Sequence, residues 1–195
     1  KKYFTKQIIT FPFWHNENIW TFLNNKIELR QKYKLDENSY LVGSFQRDTE
    51  GASISNHTYI PKLEKGPDIF CKSVNLLKTK YPNLKVLLTG NRRQYVIKEL
   101  QKNNIEYYYF EMCDIKTLNE LYNCLDLYIV GSRVEGGPRA INECSLTKTP
   151  LLTTNVGIAP YMVHPKSIFD MNNIETILNC ETDVDYNFNQ SQKYI

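Results

Sequence analysis

Five short apolar or aromatic runs, each followed by a longer segment, constrain this chain more than any single residue does. They are SYLVGSF (39–45), LKVLLTG (84–90), IEYYYF (105–110), LDLYIV (125–130) and PLLTTNV (150–156). Runs this brief and this apolar suit strands covered on both faces, as in a parallel sheet. Between them, apolar residues recur with helical period. Phe70, Val74, Leu77 and Tyr81 share one face of the stretch from Pro67, and Leu118, Leu121, Tyr122 and Leu125 share one face of the stretch from Asp114. Pro67 suits the first helical position, Pro82 ends that helix, and Asp114 can cap the next amide groups. Residues 92–103 form a third segment of this kind.

Strand, helix and strand repeated about five times, with right-handed crossovers, predict an α/β fold. The expected form is a Rossmann-like doubly wound parallel sheet of about six strands with helices on both faces. Ligands of such sheets bind beyond the carboxyl ends of the strands. That rule selects the loops 46–64, 90–93, 111–114 and 131–138.

The 195 residues fit one domain with a sizeable core. Residues 39–180 are expected to form it. Residues 1–38 read as a linker and lead-in: a helix or two preceded by the strand-like KQIITFPF, whose Pro12 keeps it off a central sheet position. The segment 181–195 has weak periodicity and is expected to be a weakly structured tail. The chain begins at Lys1 and its opening reads like the middle of a protein, so a piece excised from a longer chain, without its N-terminal half, is expected.

A net charge of +3, with no basic block interleaved with aromatics, offers no electrostatic basis for a nucleic-acid partner. No apolar run approaches the roughly 20 residues that span a bilayer, so membrane contact would come only through the absent part. Cys71, Cys113, Cys124, Cys144 and Cys180 are odd in number and contain no C-x-x-C pair. Reduced core thiols in a cytoplasmic protein are the expected reading.

The chemistry concentrates in GSRVEGGPRAINECS (131–145). Glu135 hangs at the sheet's carboxyl edge, Gly136 and Gly137 permit close backbone approach, and Pro138 can open a helix whose free amides favour a phosphate. Glu143 falls in the second turn, so both carboxylates can border one crevice and accept hydrogen bonds from sugar hydroxyls. A nucleotide sugar presents sugar, phosphate and ribose in that order. By spacing alone, Glu143 could equally pair with Arg139, and the two glycines could form an ordinary turn. The loop QRDTEGASISNHTYIPKLE (46–64) is long enough to be functional or disordered. Arg47 at its start and Lys65 just after it can both project over the same edge, or each can be solvated surface charge.

GSFQRDTEG, KLEKGPDIF, LLTGNRR and EGGPRAINECSLTKTPLLTTNVG together resemble the C-terminal, donor-binding domain of family 4 glycosyltransferases of the GT-B fold, over about residues 8–165. The resemblance implies a retaining, metal-independent hexosyltransferase whose donor is a UDP- or GDP-linked sugar, with no cofactor. The acceptor, a glycan, lipid or protein, would be held by a separate N-terminal domain, and this domain alone would be inactive. It assigns the donor diphosphate to Arg47 and Lys65, the sugar to Glu135 and the ribose to Glu143. Gly136, Gly137 and Pro138 would supply backbone approach, and the base would lie near Met112 and Cys113. No metal ligand is assigned among these motifs. The catalytic histidine of such enzymes belongs to the other domain, so His15, His57 and His164, the last beyond the sixth-strand region, are given ordinary roles. Lys148 stands where many relatives carry glycine. A GT-B nucleotide-sugar epimerase and a non-catalytic binding or scaffold module are the alternatives.

Overall fold

The computed structural model describes residues 16–50 and 60–194. Six strands, β1 (Tyr40–Ser44), β2 (Leu84–Thr89), β3 (Tyr107–Phe110), β4 (Leu127–Val130), β5 (Leu151–Thr154) and β6 (Ile168–Phe169), form one sheet in the order β3-β2-β1-β4-β5-β6. Every pairing is parallel. This is the strand order of the doubly wound dinucleotide-binding sheet. Each of the five expected runs contains one strand, and the sixth strand is a two-residue addition at the edge.

Alternate residues along each strand serve opposite faces. Leu41, Tyr128, Val130 and Leu151 enter one core with α1 (Lys26–Lys32), α4 (Ile115–Asn123), α5 (Arg139–Leu146) and α6 (Ala159–Met162). Val42, Val86, Leu88, Leu127 and Ile129 enter the other with α2 (Pro67–Lys80) and α3 (Gln94–Lys102). Phe70, Val74 and Leu77 of α2 are buried there as the periodicity predicts. Pro67 opens α2, and the Asp114 carboxylate accepts from Thr117 N at 2.7 Å at the start of α4.

The chain ends depart from expectation. Trp20, Leu29 and Leu35 lie in the main core, so the described part of the lead-in is packed against the domain. Residues 181–195 contain α7 (Val184–Ser191), which packs on α5 and α6, correcting the expectation of a weak tail. The buried Asn187 side chain accepts from His164 N at 2.9 Å, a tertiary bond invisible to periodicity. His164 precedes β6 rather than following it; its Nδ1 accepts from Lys166 N and its ring meets Tyr186 edge-on. His15, His57, and the strand-like segment 6–13 lie outside the described residues. Lys148 follows α5 with φ +51°, the left-handed conformation that glycine adopts most readily, and its Nζ reaches Asp185 at 2.9 Å.

Two buried arginines fasten opposite ends of β1. Arg30 donates to Cys124 O, Glu37 O, Ser39 O and Asp126 Oδ2, while Asp126 Oδ2 also accepts from Leu41 N. At the carboxyl end, Arg93 Nε lies 2.5 Å from Asp48 Oδ2, and the guanidinium also donates to Ser44 O and Thr89 O, tying β1 to β2. Arg93 and Asp48 are 1% and 2% exposed, so neither charge has solvent to fall back on. Arg93→Met strands the Asp48 carboxylate and is expected to lower stability by about 3–5 kcal/mol in urea unfolding. A loss within experimental error would show that solvent reaches Asp48.

Candidate functional site

β1 and β4 are neighbours, yet β1 leads to α2 on one face of the sheet and β4 leads to α5 on the other. Their loops therefore separate above the carboxyl edge, where such folds bind ligands. A cavity of about 390 Å³ opens between them, lined by Phe45 and Gln46 after β1, Lys65 before α2, Leu118 and Tyr122 of α4, Tyr128 of β4, and residues 135, 137–140 and 143.

Lys65 ends a single 3₁₀ turn, Leu63–Lys65, and Gly66 follows with φ +62°. A Cβ at Gly66 would land on Gly131 O, so only glycine lets the strap before α2 touch the loop after β4. The contact is stitched by polar groups. Glu64 O accepts from Arg133 N at 2.8 Å, and the Arg133 guanidinium grips both Asp68 oxygens at 2.7 Å while donating to Leu63 O. Burial works to raise the Asp68 pKa, but the Arg133 guanidinium outweighs it and leaves the carboxyl below its ordinary value. Gln46 Nε2 donates to Lys65 O at 2.8 Å, fixing the strap to β1 as well.

This framework brings the two charged groups of the rim together. Lys65 Nζ lies 3.0 Å from Glu135 Oε2, and Ser132 Oγ donates to Glu135 Oε1 at 2.5 Å. Ser132 is itself anchored, because its carbonyl accepts from Thr154 Oγ1. Deeper in, the buried Tyr122 hydroxyl donates to Glu143 Oε2 at 2.7 Å. Burial first, then the Glu143 charge, pushes the Tyr122 pKa well up, so this phenol remains a donor. Phe45, Tyr122 and Tyr128 pack edge-on or tilted at 4.7–5.3 Å to make an aromatic floor. α5 begins after Pro138 without a side-chain cap, and its first residues, Arg139 and Ala140, line the same space, so amides at this helix start can meet an anion.

Lys65, Glu135, Gly137, Pro138 and Glu143, all expected from the sequence, thus border one cavity. Gly136 adjoins it with open space around its Cα, and neither Gly136 nor Gly137 has positive φ. Arg47 is exposed beside the cavity, with Nε donating to Thr49 O at 3.2 Å, and it does not line the space. Met112 is 81% exposed on the loop after β3 and does not line it either. Sequence reasoning missed Gln46, Arg139 and the aromatic floor. Arg139 was in view, at the first turn after Gly-Gly-Pro; nothing local marks Tyr122 as the partner of Glu143.

Burial also pushes up the thiols, that of Cys124 to about 12, which suits packing rather than reactivity. Among the described residues, no group of His, Cys, Asp and Glu could hold a metal ion, and no helix is long and apolar enough to cross a membrane.

Residues 60–179 match the family model of glycosyl transferases group 1. The chain belongs to that family. No curated protein matches. Among solved structures, sucrose-phosphate synthase from Thermosynechococcus elongatus superposes with TM-score 0.69 at 15% identity, over 92% of this chain and 46% of that one. The C-terminal domain of the group 1 glycosyl transferase LpcC from Francisella tularensis gives 0.65 at 12% identity, over 92% and 93%. HepE from Anabaena, solved with UDP and glucose, gives 0.65 at 19% identity, over 93% and 51%. This group 1 chain therefore spans about half the length of the synthase and of HepE, and nearly all of the separated LpcC domain. Its fold is one half of a GT-B glycosyltransferase.

The loop bearing Glu135 rests on Gly157, whose φ is +52° and whose added Cβ would overlap Gly136 O and lie 2.7 Å from Glu135 O. Gly157→Ala must push that loop aside. The expected result is a stability loss of about 1–3 kcal/mol in urea unfolding, from the strained backbone and the displaced loop. Unchanged stability would mean that the Glu135 loop yields to the added methyl without cost.

Proposed function

We propose that this chain is the donor-binding half of a retaining, metal-independent glycosyltransferase that transfers a hexose from a UDP- or GDP-linked sugar. The observation that carries the reading is the convergence of Lys65, Glu135, Glu143 and the start of α5 on one cavity at the strand-order switch. Those groups match the parts of a nucleotide sugar in sequence. Glu143, held by Tyr122, accepts from the ribose hydroxyls; the α5 amides and Lys65 receive the diphosphate; Glu135 orients the sugar.

Transfer breaks the bond between sugar and diphosphate, and negative charge grows on the departing phosphate. Fixed donors and a cation aimed at that charge lower the barrier, because they need no reorganisation as it develops. Lys65 and the α5 amides do this work without a bound metal. Arg47, one residue outside the cavity lining, joins them if its side chain turns inward from Thr49. The acceptor, a glycan, lipid or protein, arrives from a separate N-terminal domain facing the cavity. This half alone binds donor and transfers little. HepE, solved with UDP-glucose, makes uridine the first base to test.

Calorimetric titration of this chain with UDP, GDP and ADP tests the reading. One nucleotide is expected to bind in the micromolar to millimolar range, about 4 to 8 kcal/mol. Lys65→Ala and Glu143→Ala should each weaken it about tenfold or more, and Arg47→Ala shows whether that arginine takes part. Binding that ignores both Lys65→Ala and Glu143→Ala would place the nucleotide elsewhere and sink the proposal. Absence of binding by any of the three nucleotides would do the same.

A further inference from the structure

The charged side chains lining the cavity are Lys65, Arg139, Glu135 and Glu143, two of each sign. A cavity meant only to grip a diphosphate would carry an excess of cations. Here the cation best placed for it, Lys65, already has a carboxylate at 3.0 Å. The pairing is built rather than incidental. Glu135 is fixed from its other oxygen by Ser132 Oγ, Ser132 by Thr154, and Lys65's strap by Gln46 and by the Arg133–Asp68 grip.

Resting on the donor-site reading above, we propose that Glu135 discriminates by charge between the sugar-linked nucleoside diphosphate and the nucleoside diphosphate released after transfer, and so drives product release. A phosphate oxygen hydrogen-bonded to Lys65 Nζ at the usual ~2.8 Å for a charged pair lies within about 6 Å of Glu135 Oε2, given the 3.0 Å Lys65–Glu135 separation. Like charges at that range oppose one another appreciably. In the sugar-linked form the terminal phosphate is esterified and the diphosphate carries two charges. Sugar hydroxyls also stand between it and the carboxylate, donating hydrogen bonds to Glu135. Cleavage removes those donors and leaves a terminal phosphate whose second ionisation, near pH 6, brings the total to about three charges at neutral pH. Glu135 thus changes from hydrogen-bond acceptor for the substrate to a repelling neighbour of the product. The bond that breaks is the sugar–oxygen bond; its electron pair stays on the phosphate oxygen, which is the charge that Glu135 then opposes.

The test compares UDP and GDP with UDP-glucose and GDP-mannose on the wild-type chain, Glu135→Gln and Lys65→Met, by calorimetry. Glu135→Gln keeps the shape and removes the charge. It is expected to bind the free diphosphate about three- to tenfold more tightly than wild type, with the sugar-linked form gaining less or losing affinity. Lys65→Met should weaken both. A Glu135→Gln variant that binds the free diphosphate no better than wild type overturns the inference, as does an equal gain for both forms. Should the glutamine variant not fold, as judged by its thermal unfolding, Glu135→Ala carries the same comparison. Failure of all four ligands to bind wild type and variants alike would instead overturn the donor-site reading on which the inference stands.

Discussion

The structure turns on one topological constraint: β1 and β4 lie side by side, but the helices that follow them pack on opposite faces of the sheet. Two parallel neighbours whose chains leave in opposite directions cannot close their carboxyl ends against each other. The gap that results has backbone on both sides, an aromatic floor below and the first turn of α5 on one wall. Everything chemical about the site follows from what the sequence places on those diverging loops.

Such a gap would be soft without fasteners, and the chain supplies them in layers. Buried Arg30 with Asp126 secures the amino ends of β1 and β4, and buried Arg93 with Asp48 secures the carboxyl ends of β1 and β2. Above these, Gly66 and Gly131 let the two loops touch backbone to backbone, and Arg133 with Asp68 clips them together. Ion pairs of this kind add little net stability: desolvation offsets most of the attraction in the buried Arg93–Asp48 pair, and solvent screens the partly exposed Arg133–Asp68 pair. What they supply is position: each needs all its partners at once, so the loop ends have one arrangement that satisfies every group.

The relatives superpose at 12–19% identity, which shows how little of the sequence the fold needs. Apolar residues at the right period, a proline or capping carboxylate at helix starts, and glycine at the close approaches suffice. The site asks for more, because charged groups must meet at hydrogen-bond distance across segments far apart in the chain. Lys65 and Glu135 are 70 residues apart in sequence and 3.0 Å apart in space.

The sequence by itself determined the alternation of strands and helices, the two-sided sheet, the helix starts at Pro67 and Asp114, and the loop that carries Glu135. All of these depend on local period and local backbone chemistry, which are readable in windows of ten or so residues. The motifs also brought Lys65, Glu135 and Glu143 into view. Only the tertiary structure decided that Gln46 rather than Arg47 lines the cavity, that Tyr122 holds Glu143, that Asn187 anchors the C-terminal helix, and that Lys65 is paired with Glu135. The physical reason is the same in each case. Side-chain direction at a strand end and hydrogen bonds between distant segments are set by which groups packing leaves within about 3 Å of one another, and no local pattern encodes that distance.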